Sequence, residues 1–288
     1  MRKSIVFLVP NITQPRFSNR ISEYYSGWVT HVFYYVRGNY NKLNSKPKAH
    51  YSTHLGELKS SFYLKRIPKY LVLYLKLRFV DANVIYSFGI DFLVIACLAK
   101  RRHTRIFYEL GDIRQLRNRR LNRLFLFLLR NVIFKKVDKI LVTSSGFKSY
   151  VIHHYGVDEA KIELRENKLH SKNINTRQLI NEKPHVDDEL VLGIIGYFRY
   201  QSVVDFIKAY NQSSKPRFKI VIYGHGEKLP EMLTYCDDEK IQYRGQFNAV
   251  KDLHEIYSKI HYSYVVYDNC SLNVSLALSN KLYESMFY

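Results

Sequence analysis

LGIIGYFRY, at Leu192–Tyr200, is an apolar run that ends in a glycine and continues with two aromatic residues and an arginine. Such a run is typical of a buried strand that turns directly into a helix. The glycine, Gly196, lets a backbone approach a ligand, and the following helix offers free N–H groups to a phosphate. Arg199 is placed to add a charge-assisted contact to a diphosphate. An ordinary strand, turn and helix with a surface arginine explains the same letters equally well.

Two more glycine-bearing segments follow at the spacing of successive strands, IYGHGE at Ile222–Glu227 and YRGQF at Tyr243–Phe247. They place Gly224, Gly226 and Gly245 at predicted strand ends. A single G-x-G is a weak signal because tight turns use glycine routinely. The carboxyl ends of parallel strands meet at one edge of a sheet, and open α/β sheets bind their ligands at that edge. The three turns together therefore predict a nucleotide-type ligand there.

Strand-like and helix-like segments alternate along the whole chain, which is typical of α/β domains with parallel sheets. The predicted strands of the first half are Ser4–Pro10, Val29–Val36, Asn83–Ser87, Arg105–Tyr108, Lys139–Thr143 and Ile162–Glu166. Its predicted helices include Gly89–Lys100, Arg114–Lys136 and Ser145–Tyr155. The predicted strands of the second half are Val191–Gly196, Lys219–Tyr223, Ile241–Arg244 and His261–Val266.

A polar segment without periodicity, His170–Asp188, separates these halves and is typical of a linker. We therefore predict two doubly wound, Rossmann-like domains. The first spans residues 1–185, with the linker beginning at about residue 170, and the second spans residues 186–288.

The formal net charge of +20 is concentrated in the first half of this chain of 288 residues. Residues 1–185 carry a net charge of +22, whereas residues 186–288 carry −2. The first half therefore suits an anionic partner, and nucleic acid, an anionic membrane surface and a phosphorylated substrate all stay open on charge alone. The three cysteines are scattered without a C-x-x-C pair, which predicts neither a disulfide framework nor a metal site. No segment is long and apolar enough to predict a transmembrane helix.

NKLYES, at Asn280–Ser285, follows a strand-like run and a loop that contains Asp268, Asn269 and Asn273. Together with the three glycine-bearing segments, it stands in the order and spacing of the donor domain of retaining, GT-B fold glycosyltransferases. The second half of the chain resembles the family-4-like members that build bacterial capsular, exopolysaccharide or O-antigen chains, and the first half resembles them loosely. Relatives continue beyond this motif, so the resemblance implies a second domain that is incomplete at its carboxyl end.

The resemblance implies a donor site without a metal or other cofactor. Asn280 and Lys281 would face the sugar diphosphate, and Glu284 would hold the ribose hydroxyls, for which a carboxylate is well suited. The implied donor-binding residues are Gly196, Arg199, Gly224, Gly226, Gly245, Asn273, Asn280, Lys281 and Glu284. The chain departs from the family at Leu276, which replaces the first glutamate of the Glu-x7-Glu motif, and lacks a lysine shortly after Arg199. A capped surface helix with a Lys–Glu pair is the alternative interpretation of NKLYES.

RIFYELGDIR, at Arg105–Arg114, presents two acidic residues, Glu109 and Asp112, at the end of a predicted strand. Relatives carry an acidic or His–Asp pair here, facing the acceptor, and often a histidine where this chain has Gly111. Two carboxylates in this place would orient an acceptor hydroxyl or stabilise positive charge on the sugar ring. The alternative is that Asp112 caps a helix that begins near Ile113.

Two arginines follow the first predicted strand, Arg16 and Arg20. They are candidates for contacting a phosphate of the donor or acceptor, and solvated helix positions explain them equally well. Relatives often have glycines in this connection, and this chain has none.

Two basic amphipathic segments, Tyr63–Phe79 and Arg114–Lys136, account for much of the positive charge. Basic helices of this kind bind anionic membrane surfaces. We expect their apolar stripes to pack on the sheet and their basic edges to meet the lipid. The candidate membrane residues are Lys69, Lys76, Arg117, Arg120 and Arg123. The alternative is two core-packed helices that merely expose basic residues.

The sequence thus predicts a retaining, metal-independent glycosyltransferase of bacterial surface polysaccharide assembly. It would move a sugar from a nucleotide diphosphate to a lipid-linked glycan, as a peripheral protein on the cytoplasmic face of the membrane. One alternative is an inactive, truncated remnant that keeps membrane or partner binding. The other is a basic nucleic-acid-binding protein, although the sequence has no recognisable motif of that class, so we expect no nucleic-acid partner.

Overall fold

A computed structural model describes residues 3–12, 15–36, 47–58, 64–168, 189–214, 217–237, 239–248, 251–269 and 271–288. The chain divides into two compact units, Met1–Asn167 and Lys168–Tyr288. The predicted linker, His170–Asp188, and the predicted domain boundary after residue 185 lie outside the described residues.

The first unit is built on a parallel sheet of seven strands in the order β3-β2-β1-β4-β5-β6-β7. Its strands are β1 (Ser4–Val9), β2 (Val29–Val36), β3 (Tyr51–Glu57), β4 (Val84–Phe88), β5 (Arg105–Leu110), β6 (Lys139–Val142) and β7 (Ile162–Leu164). The centre consists of continuous apolar runs such as SIVFLV in β1, of which five residues are buried. Such runs are typical of parallel strands, because helices cover both faces of the sheet. The predicted parallel α/β fold is confirmed.

The helices of this unit are α1 (Pro15–Tyr24), α2 (Ile67–Phe79), α3 (Ile90–Ala99), α4 (Arg119–Leu128) and α5 (Ser145–Tyr155). The sequence of α3, IDFLVIACLA, is apolar apart from Asp91, and six of its residues are buried. By contrast, α4 has no buried residue. A π turn at Leu129–Ile133 and a 3₁₀ turn at Phe134–Lys136 lead from α4 to β6.

Strand β3 is absent from the sequence prediction. Its residues, YSTHLGE, pair with β2 at the end of the sheet order. A strand at an edge is largely solvated, and none of these seven residues is fully buried. The apolar periodicity that reveals an interior strand is therefore missing from β3.

Helix α4 is shorter than the predicted helix over Arg114–Lys136. The Asn118 side-chain oxygen accepts hydrogen bonds from the backbone N–H groups of Arg120 at 3.0 Å and Leu121 at 3.1 Å. This capping starts the helix at Arg119, because it satisfies two N–H groups that lack partners within the helix. The residues between β5 and Asn118 are not helical.

The second unit is built on a parallel sheet in the order β10-β9-β8-β11. Its strands are β8 (Val191–Tyr197), β9 (Lys219–His225), β10 (Ile241–Tyr243) and β11 (Tyr262–Ser263), and its helices are α6 (Gln201–Asn211), α7 (Leu229–Leu233), α8 (Leu253–Ser258), α9 (Leu272–Leu276) and α10 (Asn280–Phe287). Side chains alternate between the two faces of the sheet. Accordingly, Ile194 and Ile222 lie in one apolar core, and their neighbours Ile195 and Val221 lie in the other. The predicted strand over His261–Val266 is confined to the two residues of β11.

The strand order of each sheet reverses at one place, between β1 and β4 in the first unit and between β8 and β11 in the second. At such a place the chain leaves neighbouring strands toward opposite faces of the sheet, and a crevice remains beyond the carboxyl ends. Glu109 and Asp112 line a cleft at the first crevice, and Arg199 and Lys281 line a small cavity at the second.

Candidate active site

A cleft of about 190 Å³ lies in the first unit beyond the carboxyl ends of β1, β4 and β5. Three residues that the sequence singled out, Arg16, Glu109 and Asp112, line it together. They come from α1 and from the end of β5, so the sheet brings into one place two segments that are far apart in sequence. Other polar side chains that line the cleft are Asn11, Arg66, Tyr70 and Asp91.

The carboxylate of Glu109 is held in a fixed position. Glu109 is only 3% exposed, and its Oε2 accepts a hydrogen bond from Arg20 Nε at 2.8 Å and another from the Tyr86 hydroxyl. Burial and the charge of Glu109 raise the pKa of Tyr86 well above its ordinary value, so this phenol remains a donor. Both bonds use Oε2, so neither engages Oε1.

Arg20 pairs with two carboxylates, whereas the sequence analysis made it a candidate for contacting a phosphate of the donor or acceptor. Its side chain is buried between Glu109 and Glu23, and its Nη1 donates to both Glu23 oxygens at 3.1 Å. Burial lowers the pKa of Arg20, but the charges around it, led by Glu109, outweigh burial and leave that pKa raised. The positive charge is therefore neutralised within the unit, which gives Arg20 the role of holding Glu109 in place.

Arg16 lies directly against Gly111, the position at which relatives often have a histidine. A Cβ atom on Gly111 would come within 2.6 Å of Arg16 Nη1. The absence of a side chain at residue 111 thus creates the space that the guanidinium occupies in the cleft. Asp112 is exposed at the same turn, and the first helix after it begins at Arg119. The alternative in which Asp112 caps a helix near Ile113 is therefore wrong.

A cluster around Asp91, at the start of α3, was missed in the sequence analysis. Its Oδ1 accepts from Arg114 Nη1 at 2.6 Å, and its Oδ2 accepts from the Tyr70 hydroxyl at 3.1 Å, with Arg66 Nη1 at 3.9 Å. Burial and the charge of Asp91 raise the pKa of Tyr70 to about 12. A single acidic residue within the longest apolar segment of the chain, Val84–Ala99, was the available signal, because a charge in such a run needs partners.

In the second unit, two glycines allow close contacts at the carboxyl edge of the sheet. Gly224 has a φ of +138°, and a Cβ atom there would collide with the carbonyl oxygen of Gly196. Gly196 has a φ of +125°, and its Cβ would occupy the position of the Lys281 ammonium group. Only glycine combines these backbone angles with such close approach. The Lys281 side chain of α10 thereby lies against the end of β8.

Lys281 and Glu284 lie on this edge with opposite pKa shifts. Burial lowers the pKa of the Lys281 ammonium to about 8, an effect that the charge of Glu284 only partly offsets. Burial raises the pKa of the Glu284 carboxyl, opposed by Lys281 and by the Tyr257 hydroxyl, which donates to Glu284 Oε2 at 3.3 Å. Both groups are desolvated, as expected of charges that are prepared for a polar ligand.

The amino terminus of α6 is not free to receive a phosphate, contrary to the sequence expectation. The carboxylate of Asp268 accepts from the backbone N–H of Gln201 at 2.8 Å and from that of Ser202 at 2.9 Å. The N-cap residue, Tyr200, makes no side-chain capping bond. An anion from the loop after β11 therefore stabilises this helix end.

Arg199 is exposed and lies over a neighbouring aromatic ring. Its guanidinium carbon is 4.8 Å from the centroid of the Tyr200 ring, and its Nη2 donates to the Tyr200 hydroxyl at 2.6 Å. Tyr200 in turn meets the edge of Tyr267, with ring centroids 5.1 Å apart. Arg199 thus lies at the carboxyl edge of the second sheet, where it lines the same small cavity as Lys281.

The other predicted donor residues occupy the same unit. Asn280 is the exposed first residue of α10, and Asn273 lies in α9. Gly226 packs against the backbone of Phe198. Gly245 follows β10, and its carbonyl accepts from the Gly224 N–H at 2.8 Å. Their part in binding a donor remains a prediction.

The fold of the chain recurs in solved structures of glycosyltransferases. The lipopolysaccharide outer core galactosyltransferase WaaB is 14% identical, with a TM-score of 0.62 over 89% of this chain and 72% of WaaB. A glycosyltransferase from Rickettsia africae is 11% identical, with a TM-score of 0.64 over 91% and 73%. HepE from Anabaena, in complex with UDP and glucose, is 14% identical, with a TM-score of 0.59 over 90% and 73%. The chain has the GT-B fold.

Similarity at these identities shows the GT-B fold and leaves the reaction open. A UDP-N-acetylglucosamine 2-epimerase shares the fold, with 13% identity and a TM-score of 0.54. The sequence matches no protein-family model and no curated protein. The predicted fold is therefore confirmed, whereas membership of the family-4-like group stays a prediction.

The apolar stripe of α4 is exposed in this GT-B chain, which corrects the prediction that it packs on the sheet. The residues that pack inward here, Leu129 and Phe134, follow α4 in the π and 3₁₀ turns. The exposed apolar side chains of α4 and the π turn are Leu121, Leu124, Phe127, Leu128 and Val132. Helix α2 exposes a similar set, namely Ile67, Leu71, Val72, Leu75 and Phe79.

Basic residues stand among these apolar side chains. Arg117, Arg120, Arg123 and Lys76 are exposed, whereas Lys69 is half-buried and donates to the backbone oxygen of Glu57. Both α2 and the π turn pack against α3. We call α2, α4 and the π turn, with these residues, the basic–apolar surface.

Neither a metal cluster nor a spanning helix is found in the part of the chain that the structure describes. No group of three or more His, Cys, Asp or Glu side chains there is arranged to hold a metal ion. No described helix has the length and apolar character needed to cross a bilayer.

Proposed function

We propose that the protein is a glycosyltransferase whose donor is a nucleotide-diphosphate sugar. The observation that carries this proposal is the arrangement of Gly196, Lys281 and Glu284 at the carboxyl edge of the second sheet. A desolvated cation beside a glycine turn suits a diphosphate, and a carboxylate three residues further along the helix accepts from two vicinal hydroxyls. The shared fold with known glycosyltransferases supports this interpretation of the three residues.

In this proposal Glu284 binds the ribose hydroxyls, and Lys281, with the amino terminus of α10, contacts the diphosphate. Positive groups at this place stabilise the negative charge that develops on the nucleoside diphosphate as it leaves the sugar. Arg199 adds a cation at the mouth of the site. No metal or other cofactor has a role in the proposal, and retention of the anomeric configuration rests on the family resemblance alone.

The cleft of the first unit is the proposed acceptor site. Glu109 is fixed by Arg20 and Tyr86, and it orients an acceptor hydroxyl or stabilises positive charge on the sugar ring together with the exposed Asp112. Arg16 gives the cleft a cation for a phosphate of the acceptor.

We further propose that the acceptor is a lipid-linked glycan of bacterial surface polysaccharide assembly. The basic–apolar surface supports this, because exposed Leu and Phe side chains insert among lipid chains while arginines meet anionic head groups. The protein would then act as a peripheral protein on the cytoplasmic face of the membrane.

Thermal unfolding of the full chain in the presence of UDP-, GDP- and CMP-sugars tests the donor proposal. We expect one nucleotide class to raise the unfolding temperature, because a ligand that binds only the folded state stabilises it. The shift should disappear in Glu284→Ala and persist in Glu227→Ala, which removes an exposed carboxylate of the same unit.

Three other results would each replace the proposal with another function. Conversion of a UDP-sugar to its 2-epimer, without transfer to any acceptor, would identify an epimerase. Salt-dependent binding to a random oligonucleotide, with no response to nucleotide-sugars, would favour the nucleic-acid-binding alternative. Binding to vesicles without any nucleotide response would favour the inactive remnant.

A further inference from the structure

The ring of Tyr257 is held in an apolar core of the second unit. Tyr257 lies in α8, is only 5% exposed, and belongs to the cluster that includes Ile195 and Ile256. The ring of Tyr288 stacks on it, with centroids 5.4 Å apart and an interplanar angle of 15°. A close-packed interior leaves an aromatic ring few alternative rotamers. The position of the Tyr257 hydroxyl is therefore set by the fold.

The carboxylate of Glu284 is anchored to this ring through one oxygen. The Tyr257 hydroxyl donates to Oε2 at 3.3 Å, and no residue that the structure describes donates a hydrogen bond to Oε1. Glu284 belongs to α10, in which no residue is fully buried. A long side chain at such a position loses conformational entropy when a ligand fixes it. The bond from Tyr257 places the carboxylate before a ligand binds, so less entropy is lost on binding.

The same contact favours the ionised form of Glu284. Burial raises the pKa of the Glu284 carboxyl, whereas the charge of Lys281 and the hydrogen bond from Tyr257 lower it. Burial and Glu284 raise the pKa of Tyr257, so this phenol stays a donor at neutral pH. Tyr267 and Tyr288 also interact electrostatically with the carboxylate, and burial raises the pKa of both phenols. An ionised carboxylate accepts hydrogen bonds at both oxygens, as recognition of a hydroxyl requires.

We propose that Tyr257 is a positioning residue for ribose recognition, which holds the Glu284 carboxylate where it accepts from the hydroxyls of a ribonucleotide. This inference rests on the proposed function and deepens it, because it makes Tyr257 a determinant of the preference for ribose over deoxyribose. Tyr257 acts through Glu284 and does not itself touch the ligand. A ligand without the 2′-hydroxyl leaves the oriented carboxylate without one of its partners, and a site built to bind a hydroxyl discriminates against such a ligand.

Isothermal titration of the full chain with UDP, GDP and their 2′-deoxy counterparts tests the proposal. Tyr257→Phe keeps the ring and removes the hydroxyl. For the base that binds, this variant should weaken binding of the ribonucleoside diphosphate about tenfold, which is in the range for losing a hydrogen bond to a charged group. Affinity for the 2′-deoxy diphosphate should stay unchanged. A purely structural role of Tyr257 would weaken the binding of both ligands equally.

Tyr210→Phe is the matched control. Tyr210 is also buried in the second unit, but it lies in the other apolar core, and its hydroxyl donates to the backbone oxygen of Phe218. This variant should leave the affinity for each ligand unchanged. Glu284→Gln tests whether Tyr257 acts through the carboxylate. In that background Tyr257→Phe should cause no further loss of ribonucleotide affinity, because the effects of two residues that act together are not additive.

The pH profile of binding is a readout that a packing role does not change. Without the Tyr257 hydroxyl, the pKa of Glu284 loses one of the two contributions that lower it. The carboxyl of Tyr257→Phe should therefore take up its proton at a higher pH, and ribonucleotide affinity should begin to fall at a higher pH on acidification. Titration of the diphosphate itself is common to both proteins. Identical acid limbs in the wild type and Tyr257→Phe would contradict the proposal.

The outcomes separate this inference from the proposed function. Equal losses for the ribose and deoxyribose ligands, or the same loss in Tyr210→Phe, would overturn the inference and leave the donor proposal standing. Absence of diphosphate binding in the wild type would overturn both. If Tyr257→Phe does not fold, the wild type alone decides. Saturation with the ribonucleoside diphosphate should shift the NMR signal of Tyr257 Cζ more than saturation with the 2′-deoxy ligand, and equal shifts would count against the proposal.

Discussion

At the scale of single residues, the two units handle buried charge in different ways. Glu109 and Arg20 are both almost fully buried and neutralise each other at 2.8 Å. Removing one member of such a pair is costly, at roughly 3–5 kcal/mol, because the other charge stays buried without a partner. Lys281 is also desolvated, but Glu284 offsets the burial only in part. The first arrangement fixes a side chain, whereas the second leaves a cation prepared for an anionic ligand.

Lys281→Met should stabilise the unliganded protein and weaken binding of nucleoside diphosphates. Burial lowers the pKa of Lys281 to about 8, so keeping it charged at pH 7 destabilises the folded state relative to the unfolded chain. We expect a gain of roughly 1–2 kcal/mol in unfolding free energy at pH 7, after allowance for partial exposure. Urea unfolding measures this gain, and the control is Lys208→Met, because Lys208 is an exposed residue of α6. A loss of stability in Lys281→Met would contradict the prediction.

The same pKa gives the wild type a pH dependence with a definite sign. The Lys281 ammonium is protonated below pH 8 and becomes neutral as the pH rises through 8. Affinity for an anionic diphosphate should therefore be highest below pH 8 and fall above it, and Lys281→Met should show no such fall. In the unliganded protein the depressed pKa acts in the opposite direction, and stability should increase above pH 8.

At the scale of secondary-structure elements, close approach of backbones organises the second unit. The next-to-last residues of β8 and β9 are glycines whose backbones are in contact, and the Lys281 side chain of α10 lies against Gly196. In the first unit, the ends of β1, β4 and β5 are separated by a cleft that polar side chains line. Similar strand–turn–helix segments thus leave a cleft at the carboxyl edge of the first sheet and pack closely at the carboxyl edge of the second.

Gly224→Ala should unfold the second unit, whereas Gly245→Ala should be tolerated. Both glycines have positive φ, +138° and +93°, but a Cβ at residue 224 meets the backbone of Gly196 and a Cβ at residue 245 meets nothing within 4 Å. Backbone strain alone costs about 1–3 kcal/mol. We expect Gly245→Ala to stay within that range and Gly224→Ala to exceed it. Equal losses in urea unfolding would show that the contact with Gly196 does not matter.

At the scale of the whole molecule, charge and exposed apolar area coincide on the first unit. The formal charge is +22 over residues 1–185 and −2 over residues 186–288. The basic–apolar surface adds ten large exposed apolar side chains from two helices and the π turn. Exposed apolar patches with a charged border mark interaction surfaces in soluble proteins. The distribution is the reason for proposing that this unit faces the membrane.

The chain should sediment with vesicles that contain anionic lipid and not with neutral vesicles. Replacing Arg117, Arg120 and Arg123 by Gln should weaken this binding about a hundredfold, since each basic residue contributes roughly 1 kcal/mol near the surface. The control replaces Lys208, Lys251 and Lys259 of the second unit by Gln, which removes the same charge elsewhere. Equal weakening by both triple variants would show attraction by net charge and no docking through α4.

The sequence pattern alone was enough to predict the interior strands and the parallel α/β class. Runs such as SIVFLV and LGIIGY are apolar throughout because both faces of these strands are covered, and the predicted boundaries of β1, β2 and β8 agree with the structure to within one residue. The glycines of β8 and β9 could be placed for a related reason, since few other residues end a strand and admit a neighbouring backbone. These strands and glycine turns depend on residues that are close together in the sequence, so the sequence pattern is sufficient to predict them.

Other features depend on contacts between distant segments, and only the tertiary structure decided them. Asp268 caps α6 from a loop 66 residues further along the chain, and no local pattern pairs a loop aspartate with a helix so far away. Arg20 reaches Glu109 across 89 residues and thereby becomes a partner of the carboxylate instead of a free cation. The periodicity of α4 gave it an apolar stripe but could not show whether a surface was available to cover it. The π and 3₁₀ turns supply the inward-packing side chains here, so the stripe stays exposed.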